Sequence, residues 1–90
     1  MSRLDAATDL FRLLSDPTRV RLLALLEREE LTVAELTGAT RLAQSRVSTH
    51  LGKLRDAQLV RDRREGVSSY YRFNATGMPS HARRAWALLR

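Results

Sequence analysis

Apolar residues recur every three or four positions from the start of the chain, and this spacing predicts a first helix over residues 4–14. Asp16 then occupies the position of a helix N-cap, and Pro17 follows at the first helical position, where its missing N–H costs nothing. A second helix is therefore predicted from Pro17 to about Arg28. Its many leucines are too apolar to be left exposed.

A capping box marks the start of a third helix. The hydroxyl of Thr32 is placed to accept the backbone N–H of Glu35, and the Glu35 carboxylate is placed to reach back to the N–H of Thr32. We therefore expect a short helix over residues 33–39, followed by a few turn residues.

The fourth predicted helix, from Ala43 or Gln44 to Ala57, is polar on one side. On a helical wheel its apolar seam is narrow and consists of Val47, Leu51 and Leu54. The far side carries short polar side chains with basic ones further along: Ser45, Arg46, Ser48, Thr49, Gly52, Lys53 and Asp56. Such a face suits a helix that lies in the major groove of DNA, although an ordinary solvated face has the same pattern.

Two β-strands are predicted next, over Leu59–Arg64 and Val67–Phe73, joined by a tight turn at Glu65 and Gly66. Three arginines crowd the first strand: Arg61, Arg63 and Arg64. They are interpreted either as a solvated basic edge that deters strand pairing or as a wing that touches phosphates. The position of the hairpin directly after the polar helix favours the wing.

A last helix is predicted from about Ser80 to Arg90. The expected fold is mainly α with a small β-hairpin wing, in the order α-α-α-α-β-β-α, which is a winged helix-turn-helix.

At 90 residues there is room for one domain over residues 1–90, and folding buries only about 60–65% of the surface of so short a chain. A partner subunit would therefore help, and the apolar stripes of the first and last helices predict a dimer interface at Leu4, Phe11, Leu14, Trp86 and Leu89. Packing within the protomer is the alternative for Trp86.

Charge is distributed unevenly along the chain. Residues 1–40 hold five arginines against seven acidic residues, whereas residues 41–90 hold eleven basic residues against three acidic ones. The basic half contains the polar helix and the hairpin, where a phosphate-binding surface is expected, although many basic proteins bind no nucleic acid.

Composition narrows the chemistry. The chain has no cysteine, so it forms no disulfide or thiolate metal site, and its longest apolar run, Leu22–Leu26, is far too short to span a bilayer. We expect a soluble cytoplasmic protein without a cofactor. No nucleophile–base pair or phosphate-binding loop appears at a recognisable spacing, so a stand-alone enzyme is not expected. His50 falls beside the apolar seam and is interpreted as a structural residue at the rim of the core rather than as a ligand.

Five segments in order resemble the ArsR/SmtB family of bacterial winged-helix repressors: SDPTRVRLLALL, ELTVAEL, QSRVSTHLGKLR, LVRDRREG and SYYRF. The resemblance covers roughly residues 8–73. It implies a homodimer that binds an inverted-repeat operator in double-stranded DNA and releases it when an inducer, often a metal ion, binds. It also implies groove-facing residues at Gln44, Ser45, Ser48 and Thr49, with Arg46 and Lys53 nearby, a basic wing at Arg61, Arg63 and Arg64, and a return strand with Tyr70 and Tyr71.

The departures from the family pattern concern its sensor sites. Members that sense through thiolates have ELCVCDL where this chain has ELTVAEL, so Thr32 and Ala34 replace both sulfur ligands. The second common sensor site uses paired histidines and carboxylates on the last helix, where this chain has His81 alone. No metal site is therefore expected, and the inducer stays unknown. Ala43 and Gln58 also depart from the usual Ser N-cap and the usual helix-ending Gly.

Two functions compete at this point. The first is a sequence-specific, homodimeric transcriptional repressor. The second is a protein-interaction module, or the N-terminal module of a larger enzyme. Tight, salt-sensitive and sequence-selective DNA binding distinguishes the first from the second.

Overall fold

A computed structural model describes residues 2–90 and confirms the predicted helices and hairpin. The helices are α1 (Arg3–Leu14), α2 (Pro17–Arg28), α3 (Val33–Thr40), α4 (Gln44–Asp56) and α5 (Ser80–Leu89), and the strands are β1 (Leu31–Thr32), β2 (Val60–Glu65) and β3 (Ser68–Phe73). Every predicted element lies within about one residue of its expected bounds. Within residues 2–90, no helix has the length and apolar character needed to cross a membrane.

Local hydrogen bonds explain where α2 and α3 begin. The Asp16 carboxylate accepts the backbone N–H groups of Thr18 at 2.8 Å and of Arg19 at 3.4 Å, as expected of an N-cap. At α3 both bonds of the capping box are present: the Thr32 hydroxyl accepts the N–H of Glu35 at 3.1 Å, and the Glu35 carboxylate accepts the N–H of Thr32 at 2.8 Å. The start of α3 is therefore fixed by two reciprocal hydrogen bonds.

The expected element order lacked one strand. β1 pairs antiparallel with β3, with Leu31 opposite Tyr71 and Thr32 opposite Tyr70, so the hairpin is part of a three-stranded sheet in the order β1-β3-β2. Two residues are too few to show the alternation that predicts a strand, and Thr32 already serves as a helix cap. The corrected order is α-α-β-α-α-β-β-α.

The junction between α4 and the wing is a left-handed turn at Gln58, whose φ is 67°. The N–H of Leu59 donates to the carbonyl of Leu54 and the N–H of Gln58 donates to that of Arg55, both at 2.9 Å, which is a Schellman motif. The side chain of Asn74 donates to the Gln58 carbonyl at 2.9 Å. These bonds set the angle at which the wing leaves α4.

The core lies between the helices and the inner face of the sheet, and it includes the predicted α4 seam of Val47, Leu51 and Leu54. Two of the residues expected at a dimer interface also lie in it. Leu14 is 8% exposed and Trp86 is 3% exposed, and the Trp86 ring centroid lies 6.4 Å from that of Phe73. The single protomer already buries Leu14 and Trp86, so packing within the protomer is favoured for these two residues over a place at a subunit interface. Among the five, Leu4, Phe11 and Leu89 remain exposed.

Candidate nucleic-acid interface

Helix α4 presents its predicted polar face to solvent. All six residues expected to approach DNA from this helix are exposed: Gln44, Ser45, Arg46, Ser48, Thr49 and Lys53. The Thr49 hydroxyl donates to the Ser45 carbonyl at 2.9 Å, which leaves its oxygen able to accept a hydrogen bond from a ligand. Val47, Leu51 and Leu54 hold the opposite side of the helix in the core, so the exposed face has a fixed orientation.

The wing and α4 together line one groove. It has a volume of about 370 Å³ and includes Gln44 and Ser48 from α4, Arg64 and Val67 from the wing, and Ala34 from the start of α3. Val67, at the wing tip, is 94% exposed. The sequence pattern placed these elements in order along the chain but did not show that Arg64 lies beside the N-terminal end of α4.

Strand alternation separates the three wing arginines. Arg64 lies opposite Ser69 on the same face as the buried residue Tyr71, whereas Arg61 and Arg63 lie on the other face. Within residues 2–90, no hydrogen bond or ion pair engages the side chain of Arg61 or Arg64. Both guanidinium groups are therefore available to phosphates.

Arg63 has a different environment. Its guanidinium donates to both oxygens of Glu30, from Nη2 at 2.7 Å and from Nε at 3.1 Å, and to Glu65 at 2.6 Å. It also lies 4.4 Å from the ring centroid of Tyr70. The hydrogen bond with Glu30 is the main cause that raises the pKa of Arg63, and the same bond lowers the pKa of Glu30. Glu30 lies 33 residues away in the chain, so sequence spacing gave no sign of this pair.

His50 lies at the rim of the core, where the structure connects α4 to the end of α1. Arg19, which is buried, donates to the carbonyls of Leu13 at 2.7 Å and Arg12 at 3.2 Å, and its third nitrogen lies 3.4 Å from His50 Nδ1. A guanidinium cannot accept a hydrogen bond, so this contact is a hydrogen bond in the tautomer whose Nδ1 carries no proton.

Burial is the main cause that lowers the pKa of His50. Three nearby positive charges lower the pKa further, those of Arg19, Arg46 and Lys53, whereas the negative charge of Asp16 opposes them. The folded chain therefore binds a proton at His50 less readily than the unfolded chain does.

No metal centre is evident in the part of the chain that the structure describes. Residues 2–90 contain no group of three or more His, Cys, Asp or Glu side chains that could hold a metal ion. At the position of one sensor ligand, the Thr32 hydroxyl is engaged as a helix cap, and His81 is exposed.

The sequence is similar to those of known bacterial regulatory proteins. Residues 16–62 match the family model described as bacterial regulatory protein, arsR family. The chain is 48% identical to the arsenic resistance transcriptional regulator ArsR1 of Pseudomonas putida over 71% of its own length and 51% of that protein. It is 39% identical to the HTH-type transcriptional regulator KmtR of Mycobacterium tuberculosis over 89% of its length and 75% of that protein. The chain thus spans about half of the first relative and three quarters of the second.

Solved structures show the same fold. HlyU from Vibrio cholerae superposes with a TM-score of 0.79 at 29% identity, over 99% of this chain and 94% of that one. A homodimeric winged helix-turn-helix DNA-binding domain from Mycobacterium bovis superposes with a TM-score of 0.77 at 30% identity, over 96% of this chain and 76% of that one. The family match and the shared fold together show that the chain belongs to the ArsR family of bacterial regulatory proteins.

Proposed function

We propose that this chain is a sequence-specific DNA-binding transcriptional regulator without enzymatic activity, and that it acts as a cytoplasmic homodimeric repressor. The observation that carries this proposal is the groove in which Gln44 and Ser48 of α4 meet Arg64 of the wing. This groove contains polar side chains that suit the edges of bases. It also contains an unpaired guanidinium that suits a phosphate.

The side chains divide into two chemical roles. Hydroxyl and amide groups both donate and accept hydrogen bonds, so they can read the donor and acceptor pattern of base pairs in the major groove, and this role is proposed for Gln44, Ser45, Ser48 and Thr49. Cationic groups bind phosphates irrespective of sequence, and this role is proposed for Arg46, Lys53, Arg61 and Arg64.

A dimer on an inverted-repeat operator follows from symmetry. The related domain from Mycobacterium bovis is homodimeric, and two-fold dimers with one reading helix per subunit match two half-sites of a palindrome. Relatives from Synechocystis and Bacillus subtilis are named transcriptional repressors, SmtB homolog and SdpR, which supports repression as the outcome of binding.

Selection of bound sites from a random DNA pool tests the proposal, and an inverted repeat is the expected result. On the selected operator, Ser48→Ala should cost roughly 1–3 kcal/mol of binding free energy for each lost base contact, with little change on scrambled DNA. Ser80→Ala, an exposed serine at the start of α5, is the matched control and should change neither affinity. Equal losses on both DNAs for Ser48→Ala would show that α4 does not read the sequence.

The proposed repressor does not sense metals through thiolates. The Pseudomonas relative is named for arsenic resistance, but these 90 residues contain no cysteine, and Thr32 and Ala34 stand where the family's sulfur ligands stand. Arsenite, zinc or cadmium added in stoichiometric amount to the protein–operator complex should leave the DNA bound. Release of DNA under these conditions would contradict this part of the proposal.

A further inference from the structure

The side chain of Arg63 crosses the three-stranded sheet. It starts on β2, passes over Tyr70, its register partner on β3, and reaches the carboxylate of Glu30 just before β1. Because β3 lies between β2 and β1, this one side chain connects the outer strand of the wing to the segment that joins α2 to the sheet.

The contacts use three of the five N–H donors of the guanidinium, one on each nitrogen. Glu30 takes a bidentate pair through Nε and Nη2, and Glu65 takes a bond from Nη1, so each of the three nitrogens already donates to a carboxylate. Two carboxylates therefore face this one guanidinium, and Arg72 also lies close enough to Glu30 to lower the pKa of its carboxyl group. A phosphate would have to compete with two carboxylates for Arg63, whereas Arg61 and Arg64 have no such partners within residues 2–90.

We propose that Arg63 is a positioning residue that fixes the wing to the body of the domain and does not bind phosphate. This departs from the assignment of all three wing arginines to DNA, and its consequence for binding rests on the proposed function. The paired strand β1 is only two residues long, so the Glu30–Arg63–Tyr70 contact supplements a short ladder. The arginine that reaches the groove beside α4 is Arg64.

Hydrogen exchange of the free protein tests the positioning role without DNA. Arg63→Gln and Glu30→Gln should each accelerate amide exchange in β2 and β3 by roughly twofold to fivefold, the range expected when a solvent-screened ion pair is lost. Arg63→Lys keeps the charge but cannot form the bidentate pair, so it should accelerate exchange as well. Arg64→Gln is the matched control and should leave exchange unchanged. Unchanged exchange in all three test variants would overturn the proposal.

The salt dependence of DNA binding tests the second part of the proposal, that Arg63 does not bind phosphate. Each phosphate contact that is lost reduces the slope of log affinity against log salt concentration by about 0.9, so a homodimer that loses one contact per subunit should show a reduction of about 1.8. Arg64→Gln should show this reduction, whereas Arg63→Gln should keep the wild-type slope and lose affinity by a similar factor at every salt concentration. A slope reduced in Arg63→Gln by as much as in Arg64→Gln would overturn the proposal. If the wild-type protein did not distinguish operator from scrambled DNA, the proposed function would fail, and the exchange measurement would still decide whether Arg63 holds the wing.

Discussion

Gln58 adopts a backbone conformation that most side chains disfavour. Its φ of 67° lies in the left-handed region, where a Cβ atom is strained and glycine is not. The Schellman hydrogen bonds hold the residue there, and its own side chain is exposed. We therefore expect the departure from the usual helix-ending Gly to lower the stability of the folded chain.

Gln58→Gly should raise the free energy of unfolding by about 0.5–1 kcal/mol, because the relief of strain exceeds the added entropy of the unfolded chain. Gln58→Ala removes the same side chain but keeps a Cβ, so it should give no such gain. Urea denaturation of the three proteins measures the difference. Equal stabilisation by Gly and Ala would mean that the backbone conformation is not the cause.

The lowered pKa of His50 predicts that the stability of the folded chain depends on pH. Its folded-state pKa lies below the ordinary value of 6.5, so the unfolded chain binds the proton first as the pH falls. Stability is therefore full above about pH 6.5 and decreases below it, with a slope of at most about 1.4 kcal/mol per pH unit for one proton.

Denaturation at several pH values between 7.5 and 5.5 should show this decrease in the wild-type protein. In His50→Gln the amide oxygen can still accept the hydrogen bond of Arg19 but does not titrate, so the slope should become flatter. His81→Gln, at the exposed histidine of α5, is the control and should retain the wild-type slope. A flatter slope in His81→Gln alone would show that His50 is not the titrating group.

At the scale of elements, helix α4, which carries the candidate DNA-reading surface, lacks the N-terminal side-chain cap that α2 and α3 have. Ala43 is the N-cap of α4 and makes no side-chain cap, whereas α2 and α3 have capped starts. The first turn of α4 contains Gln44 and Ser45, which are proposed to face base edges. Order in this turn therefore affects both stability and recognition.

Ala43→Ser should stabilise the protein by about 1 kcal/mol, because the hydroxyl would satisfy an N–H of the first turn. Thermal denaturation of the variant and the wild type measures this gain in stability. Ala43→Val, which offers no acceptor, is the comparison and should not stabilise. Equal melting temperatures for Ala43→Ser and the wild type would mean that water already satisfies these N–H groups well.

Local patterns predicted most elements, and the misses have a common physical origin. Helical periodicity, the Thr32 capping box and the Gly66 turn each involve residues a few positions apart, so the sequence displays them directly. The pairing of β1 with β3 and the Glu30–Arg63 ion pair join residues more than thirty positions apart. Such contacts depend on how the elements pack, and only the folded chain shows them. The same holds for Trp86, which the core buries.

At the scale of the whole molecule, apolar side chains remain uncovered on α1 and α5. Phe11 is 67% exposed and Leu88 is 88% exposed, and Leu4 and Leu89 add to the apolar surface of the same two helices. Leu88 was not among the residues that the sequence predicted for the dimer interface. A short domain with so much uncovered apolar surface is expected to associate with a second copy through these helices.

Phe11→Asp should therefore shift the protein from dimer to monomer at micromolar concentration and weaken operator binding, because the two half-sites would no longer be engaged together. Sedimentation velocity measures the first effect. Val67→Asp, an equally drastic change at the wing tip, should leave the dimer intact. A wild-type protein that sediments as a monomer at this concentration would contradict the prediction.

The burial of Trp86 has a practical consequence for spectroscopy. It is the only tryptophan of the chain, so the indole emission of each protomer comes from one site on α5, packed against Phe73 at the base of the wing. Emission excited at the red edge of the absorption band will follow the detachment of α5 from the sheet, and it will not follow fraying at the start of α4. Fluorescence and circular dichroism recorded together would thus reveal whether the terminal helix unfolds with the rest of the domain or before it.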